Sequence, residues 1–121
     1  MAIYAMTIGD LAASFYVNTD INATKAGIVS ASNVVYSVDV DNRLNSAASY
    51  LKLWNVAVGS VTVGTTVPDW IIEVPAAGTA SVYIPEGITF GTALTVACVT
   101  EDGTGGTTNP TSDVTIEISY T

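Results

Sequence analysis

Residues 113–120 read DVTIEISY, and this stretch decides the fold class. Every second side chain in it is apolar, and the positions between them are polar. The apolar side chains are Val114, Ile116, Ile118 and Tyr120, and the polar ones between them are Thr115, Glu117 and Ser119. Because successive side chains of an extended strand point to opposite sides, this alternation predicts a β-strand with one buried and one solvated face.

The same period of two recurs along most of the chain. Residues 33–41 (NVVYSVDVD) set four apolar side chains against the polar ones of Ser37, Asp39 and Asp41. The four predicted to share one face are Val34, Tyr36, Val38 and Val40. Further strands are predicted at residues 49–55, 61–66, 69–74, 79–84, 88–90 and 93–100.

Turn-forming residues separate these strands at intervals of about ten residues. Pro85, Glu86 and Gly87 predict a tight turn, and the Gly- and Thr-rich residues 101–111 predict an exposed, mobile loop distal to the core. About eight short strands without a convincing helix predict an all-β fold, an antiparallel β-sandwich or jelly-roll-like barrel.

Residues 1–30 form a separate region in composition, since their only charged side chains are Asp10, Asp20 and Lys25. Residues 12–17 fit a strand or a short helix, because so few residues do not establish a period. Two interpretations stay open for the region. It forms edge strands of the sandwich built by residues 31–121, or an extended arm that lies on a neighbouring subunit.

Composition excludes several classes of protein. The chain has 121 residues, 49% of them hydrophobic and 12% charged, which is typical of one folded domain. Polar residues interrupt every apolar stretch before it reaches the roughly 18 residues of a membrane span. Eleven acidic against three basic residues give a net charge of −8, which disfavours nucleic acids and anionic membranes as partners. A single cysteine and no positively charged leader predict synthesis in a reducing cytoplasm.

No constellation of residues points to catalysis. The chain has no histidine, which removes the commonest general base and metal ligand. Cys98 lies on the apolar side of an alternating strand and is predicted to be a core residue. The acidic pairs around Asp39, Asp41 and Asn42, and at residues 101–103, are explained by solvated faces and turns, without a calcium site. We therefore expect no catalytic residue, no cofactor and no metal.

Aromatic residues are the remaining candidates for binding. Trp70 alternates with Ile72 and Val74 and is predicted to lie in the core or in a subunit interface. Trp54 shares a mixed face with Tyr50 and Lys52, where it is predicted to contact a protein or stack on a sugar. The full set of candidate interface residues is Ile3, Tyr4, Met6, Ile8, Phe15, Tyr16, Tyr50 and Trp54.

Four consecutive segments carry a resemblance to a known class of proteins. They are YLKLWN (50–55), VTVGTTVPDWIIEVPAAGTASVYI (61–84), GITFGTALTVACVT (87–100) and the terminal DVTIEISY. In this order they resemble small virion proteins of tailed bacteriophages that decorate or cement the capsid. The resemblance covers residues 49–120 and includes no active-site signature.

The resemblance implies a β-sandwich that binds the outside of the assembled shell and stabilises it. It also implies the major capsid protein as partner, self-association (trimers at three-fold positions) and a location on the virion surface. Two alternatives stay open: a carbohydrate- or receptor-binding module, and a tail, neck or fibre component of the particle.

Overall fold

The computed structural model describes residues 13–121, which fold into two packed antiparallel β-sheets of four strands each. The eight strands are β1 (Ser14–Asn18), β2 (Ala26–Val29), β3 (Asn33–Asp41), β4 (Ser49–Trp54), β5 (Trp70–Val74), β6 (Thr79–Phe90), β7 (Leu94–Val99) and β8 (Thr115–Tyr120). A single 3-10 turn, Val58–Ser60, lies between β4 and β5. Within residues 13–121 there is no α-helix.

The strand order identifies the architecture as a jelly roll. The first sheet has the order β1-β8-β3-β6 and the second has the order β2-β7-β4-β5. Every connection except β4 to β5 crosses from one sheet to the other, so neighbours within a sheet are distant in sequence. Two four-stranded sheets wound in this way form the eight-stranded jelly roll. The predicted fold class is confirmed.

The core lies between the two sheets and is built from the alternating apolar side chains. The first sheet contributes Val38, Val40, Ile116 and Ile118 among others, and the second contributes Leu51, Leu53, Leu94, Val96 and Cys98. Burying each such side chain stabilises the fold by about 1.5–3 kcal/mol relative to leaving it exposed. Burial also raises the pKa of the Cys98 thiol to about 12, as expected of an unreactive core cysteine.

Each of the two N-terminal strands lies at an edge of a sheet. β1 pairs with β8 in the first sheet, and β2 pairs with β7 in the second. Ile21, between them, is buried in the core with 1% of its surface exposed. β1 and β2 are therefore edge strands of the sandwich, and the segment that joins them packs on the core through Ile21. Residues 1–12, with the candidates Ile3, Tyr4, Met6 and Ile8, lie outside the described residues.

Two local predictions were wrong. Residues 61–66 form turns instead of a strand. The Pro85-Glu86-Gly87 segment does not reverse the chain, because β6 continues through it from Thr79 to Phe90. Between the pairs Ser37↔Tyr83 and Val35↔Ile88, β6 advances five residues while β3 advances two. The extra residues form a bulge, which bends a strand without ending it.

Gly87 makes this bulge possible. Its φ of +77° lies in the left-handed region that side chains disfavour, and a Cβ atom there would lie 2.2 Å from Cγ1 of Val34. The irregularity also changes which side chains of β3 share a face. Val35 is buried with Val38 and Val40, whereas the predicted core residue Tyr36 lines a groove on the outside of the first sheet.

Candidate functional site

The outer face of the second sheet is covered by the chain's own loops. Five of its outward side chains are fully buried, namely Lys52, Trp54, Thr95, Ala97 and Val99, whereas Tyr50 and Ile71 are half-buried and Glu73 is exposed. The connection between β4 and β5 packs over one part of them through Val56, Val61 and Val63. The connection between β7 and β8 lies over another part. The loops therefore cover the part of this face that holds Lys52 and Trp54.

Trp54 lies under the first of these loops. Its indole packs with Val61 and Ala97, and its Nε1 donates a hydrogen bond of 3.0 Å to the carbonyl oxygen of Thr66. No part of its side chain is exposed. The prediction that Trp54 contacts a protein or a sugar at the surface was wrong, because the alternation in β4 does not reveal that a loop covers the polar-looking side of the strand.

Lys52 is buried beneath the second loop. Its Nζ donates a hydrogen bond of 3.1 Å to the carbonyl oxygen of Gly105, and burial lowers the pKa of its ammonium group. The loop is held in turn by Thr108, whose backbone N–H donates to Oε1 of Glu101 over 3.2 Å. The hydroxyl of Thr108 also donates to Oε2 of Glu101, and this side-chain hydrogen bond is the main cause that lowers the pKa of Glu101. Residues 101–110 therefore lie against the second sheet, and the prediction of a loop distal to the core was wrong.

Within residues 13–121 no loop covers the outer face of the first sheet, and we call its outward side chains the open face. They are Phe15 and Val17 from β1, Glu117 and Ser119 from β8, Tyr36, Ser37 and Asp39 from β3, and Ser81, Tyr83 and Pro85 from β6. Strand register arranges most of them in two rows across the sheet. One row runs Phe15, Ser119, Ser37, Tyr83, and the next runs Val17, Glu117, Asp39, Ser81.

The first row forms an apolar groove between two aromatic rings. Phe15 is 65% exposed at one edge of the sheet and Tyr83 is 74% exposed at the other. The hydroxyls of Ser37 and Ser119 hydrogen-bond to each other between the rings. The groove has a volume of about 300 Å³ and is lined by Ala13, Phe15, Tyr36, Tyr83, Pro85, Ser119 and Thr121. Clustered exposed apolar surface of this kind is typical of interaction sites.

The second row is acidic. Asp39 lies directly opposite Glu117 in the β3–β8 pair, and like charges in this position destabilise a sheet. Asp39 accepts one hydrogen bond, of 2.6 Å, from the hydroxyl of Ser81. Farther along β3, Asp41 forms an ion pair of 2.8 Å with Arg43, and hydrogen bonding from Arg43 lowers the pKa of Asp41 to about 2.

The candidate interface residues within residues 13–121 lie in different parts of the structure. Phe15 lies on the open face. Tyr16 points the other way and packs against the core, and Tyr50 is half-buried on the second sheet. Trp70, expected in the core or an interface, is half-buried against the core. The structure thus separates the four candidate interface residues, Phe15, Tyr16, Tyr50 and Trp54, instead of bringing them together.

Sequence reasoning missed Val17, Tyr36 and Tyr83 on the open face. The alternation of residues 79–84 already turned Tyr83 away from Val82 and Ile84, and Val17 shares its parity with Phe15, so both had a usable signal. Tyr36 had none. Its outward position depends on the bulge, which only strand pairing reveals.

Asn42, in the acidic turn after β3, forms hydrogen bonds to backbone carbonyl groups. Asn42 is buried, and its Nδ2 donates hydrogen bonds of 3.0 Å to the carbonyl oxygens of Ala47 and Pro75. Across residues 13–121, no group of three or more acidic or sulfur side chains is placed to hold a metal ion. The same part of the chain contains no helix long and apolar enough to cross a membrane.

Comparisons with known proteins give no family. No protein-family model matches the chain, and no curated protein matches it. Solved structures with partial similarity include a crystal structure of PirA, with 13% identity, 90% and 93% of the two chains covered, and a TM-score of 0.39. A pilus protein of Bacillus endospore appendages has 18% identity, 90% and 84% coverage, and a TM-score of 0.38. The coat protein of Tobacco streak virus has 11% identity, 88% and 85% coverage, and a TM-score of 0.31. Similarities this low carry no argument about function.

Proposed function

We propose that this chain is a structural protein that binds the outside of a tailed-bacteriophage capsid and stabilises the shell. The observation that carries the proposal is the open face, where Phe15, Val17 and Tyr83 are exposed together, while loops cover much of the opposite face of the sandwich. A stable single domain has no need of such a surface for its own folding. It is the kind of surface that a partner covers.

Chemistry and fold support the same role. The sequence has no histidine, and its single cysteine is a buried core residue with a raised pKa. Jelly rolls are common in viral capsid proteins and in lectins, which is an analogy of fold and not of function. The resemblance of residues 49–120 to decoration proteins gives the proposal its specific form.

The partners of the proposed function are the major capsid protein and further copies of this chain. A subunit that binds only the assembled shell adds its binding free energy to the stability of that shell. Residues 1–12 carry the candidates Ile3, Tyr4, Met6 and Ile8, and we propose that they contribute to contacts with a neighbouring subunit. Deleting residues 1–12 should then weaken shell binding while the far-ultraviolet circular dichroism of the sandwich is retained.

The copy number of the chain in purified particles tests the function. Quantitative mass spectrometry of virions should find it in numbers comparable to the major shell protein. Removing the chain should lower the temperature at which the particles release DNA, and adding it back should restore that temperature. A handful of copies per particle would assign the chain to the tail, neck or fibre, and its absence from particles would refute a virion role.

A second candidate function is carbohydrate binding. The predicted sugar-stacking residue, Trp54, is buried, but one face carries the exposed rings of Phe15 and Tyr83 and the half-buried ring of Tyr36, and aromatic rings of this kind stack on sugars. A glycan array probed with the purified protein tests this candidate. Specific glycan binding that is lost in Tyr83→Ser, together with unchanged affinity for shells, would favour it.

A further inference from the structure

We infer that the open face docks onto a protein surface of one particular chemistry: an apolar protrusion flanked by lysine or arginine side chains. This inference rests on the proposed function and deepens it, since it names the face used and the complement that the partner presents.

The groove indicates that the partner presents an apolar protrusion. Phe15 and Tyr83 stand at its two ends, and Tyr36 and Pro85 complete its walls. In the row between Phe15 and Tyr83 lie two small side chains, Ser37 and Ser119, so a protruding apolar side chain can enter between the rings. Buried aromatic residues that receive such a protrusion are the usual centres of binding energy in protein interfaces.

The acidic row indicates that the partner presents lysine or arginine side chains beside this protrusion. The carboxylates of Asp39 and Glu117 oppose each other across β3 and β8, one row away from the groove. Two residues along a strand span about 6.6 Å, so a partner touching the groove also reaches the carboxylates. Among residues 13–121, the only ion pair joins Arg43 to Asp41, which leaves Asp39 and Glu117 without a basic partner. A lysine or arginine from the partner relieves their repulsion.

The chain's own basic residues exclude a second copy as the occupant. The sequence has three, and each is already engaged. Arg43 pairs with Asp41, Lys52 is buried against the carbonyl oxygen of Gly105, and Lys25 donates to the carbonyl oxygen of Val61. Two open faces stacked together would bring carboxylates against carboxylates. The partner is therefore a different protein, and self-association uses another surface.

Two probes test the inference separately from the proposed function. The first is phage shells stripped of this chain, with binding measured by co-sedimentation. The second is a displayed library of random peptides selected on the immobilised protein. The variants are Tyr83→Ser for the groove and the double change Asp39→Asn with Glu117→Gln for the acidic row. The matched controls are Val67→Ser, at a site 69% exposed, and Asp113→Asn, which is also exposed.

We expect Tyr83→Ser to weaken shell binding at least tenfold and the controls to leave it unchanged. The double acidic variant should weaken binding about tenfold at low salt and should remove most of the salt dependence seen in the wild-type protein. Selected peptides should combine an aromatic or large aliphatic residue with lysine or arginine, and their binding should be lost in the same variants.

The outcomes separate the two ideas. Shell binding that is unaffected by both open-face variants refutes the inference and leaves the decoration role intact. Peptides of the expected composition without any wild-type binding to shells support the inference and refute the decoration role. Peptides enriched in acidic residues, or glycan binding in place of peptide binding, overturn the inference directly. Circular dichroism of each variant verifies that it is folded.

Discussion

Each outer face of the sandwich belongs to an antiparallel sheet of four strands, yet within residues 13–121 loops cover much of one face and leave the other open. On the second sheet, the connections that follow β4 and β7 bury Lys52 and Trp54 completely. On the first sheet, Phe15 and Tyr83 remain exposed. The difference teaches that loops decide which face of a jelly roll is part of the fold and which face is available to partners.

The largest expected effect contrasts an aromatic residue on each face. Trp54→Ala should lower the free energy of unfolding by about 3–5 kcal/mol, because it empties a buried site and leaves the carbonyl of Thr66 without its donor. Tyr83→Ala should change it by no more than about 0.5 kcal/mol, since the ring is exposed. Urea denaturation followed by tryptophan or tyrosine fluorescence measures both. Equal losses would break the distinction between a covered and an open face.

A smaller effect is expected at the bulge that turns Tyr36 outward. Gly87→Ala places a Cβ atom against Val34 and keeps a left-handed φ, so we expect a loss of about 1–3 kcal/mol. Gly91→Ala is the control, because a Cβ atom there meets nothing within 4 Å. Thermal unfolding of the two variants gives the comparison. If Gly87→Ala melts with the wild-type protein, the bulge does not depend on glycine.

The smallest effect concerns the buried charge of the covered face. Burial lowers the pKa of Lys52, so the folded state disfavours its charged form, and this penalty applies where the pH lies below the folded pKa. As the pH rises through the folded pKa towards the unfolded value, the penalty disappears. Lys52→Met should therefore be more stable than the wild-type protein by about 1 kcal/mol at pH 7. The advantage should shrink towards pH 10.

Urea denaturation at both pH values measures this difference. Tyr50→Phe, on the same strand and face, is a control that keeps Lys52 in place. A Lys52→Met variant less stable than the wild-type protein at pH 7 would mean that the hydrogen bond from Nζ to Gly105 outweighs the cost of burying the charge.

Strand positions were predictable where alternation extends over several residues. Residues 33–41 coincide with β3, and β4, β5, β7 and β8 lie within their predicted stretches, because side-chain alternation is a local property of an extended chain. β2 was missed, since four residues that include Gly27 show no period. Of the exposed residues of the open face, only Phe15 was predicted as an interface residue. Val17 and Tyr83 were overlooked, although the alternation of side chains in their strands turns them outward.

The sequence by itself determined the all-β class, the core-facing alternation of β4 and β8 and the lack of histidine chemistry, because each depends on composition or on neighbours along one strand. Tertiary structure alone decided that Trp54 and Lys52 are buried and that Tyr36 faces the outer groove. These outcomes depend on which loop lies over which sheet and on a bulge between β3 and β6. Such contacts join residues far apart in the chain, and the periodicity of a single strand carries no record of them.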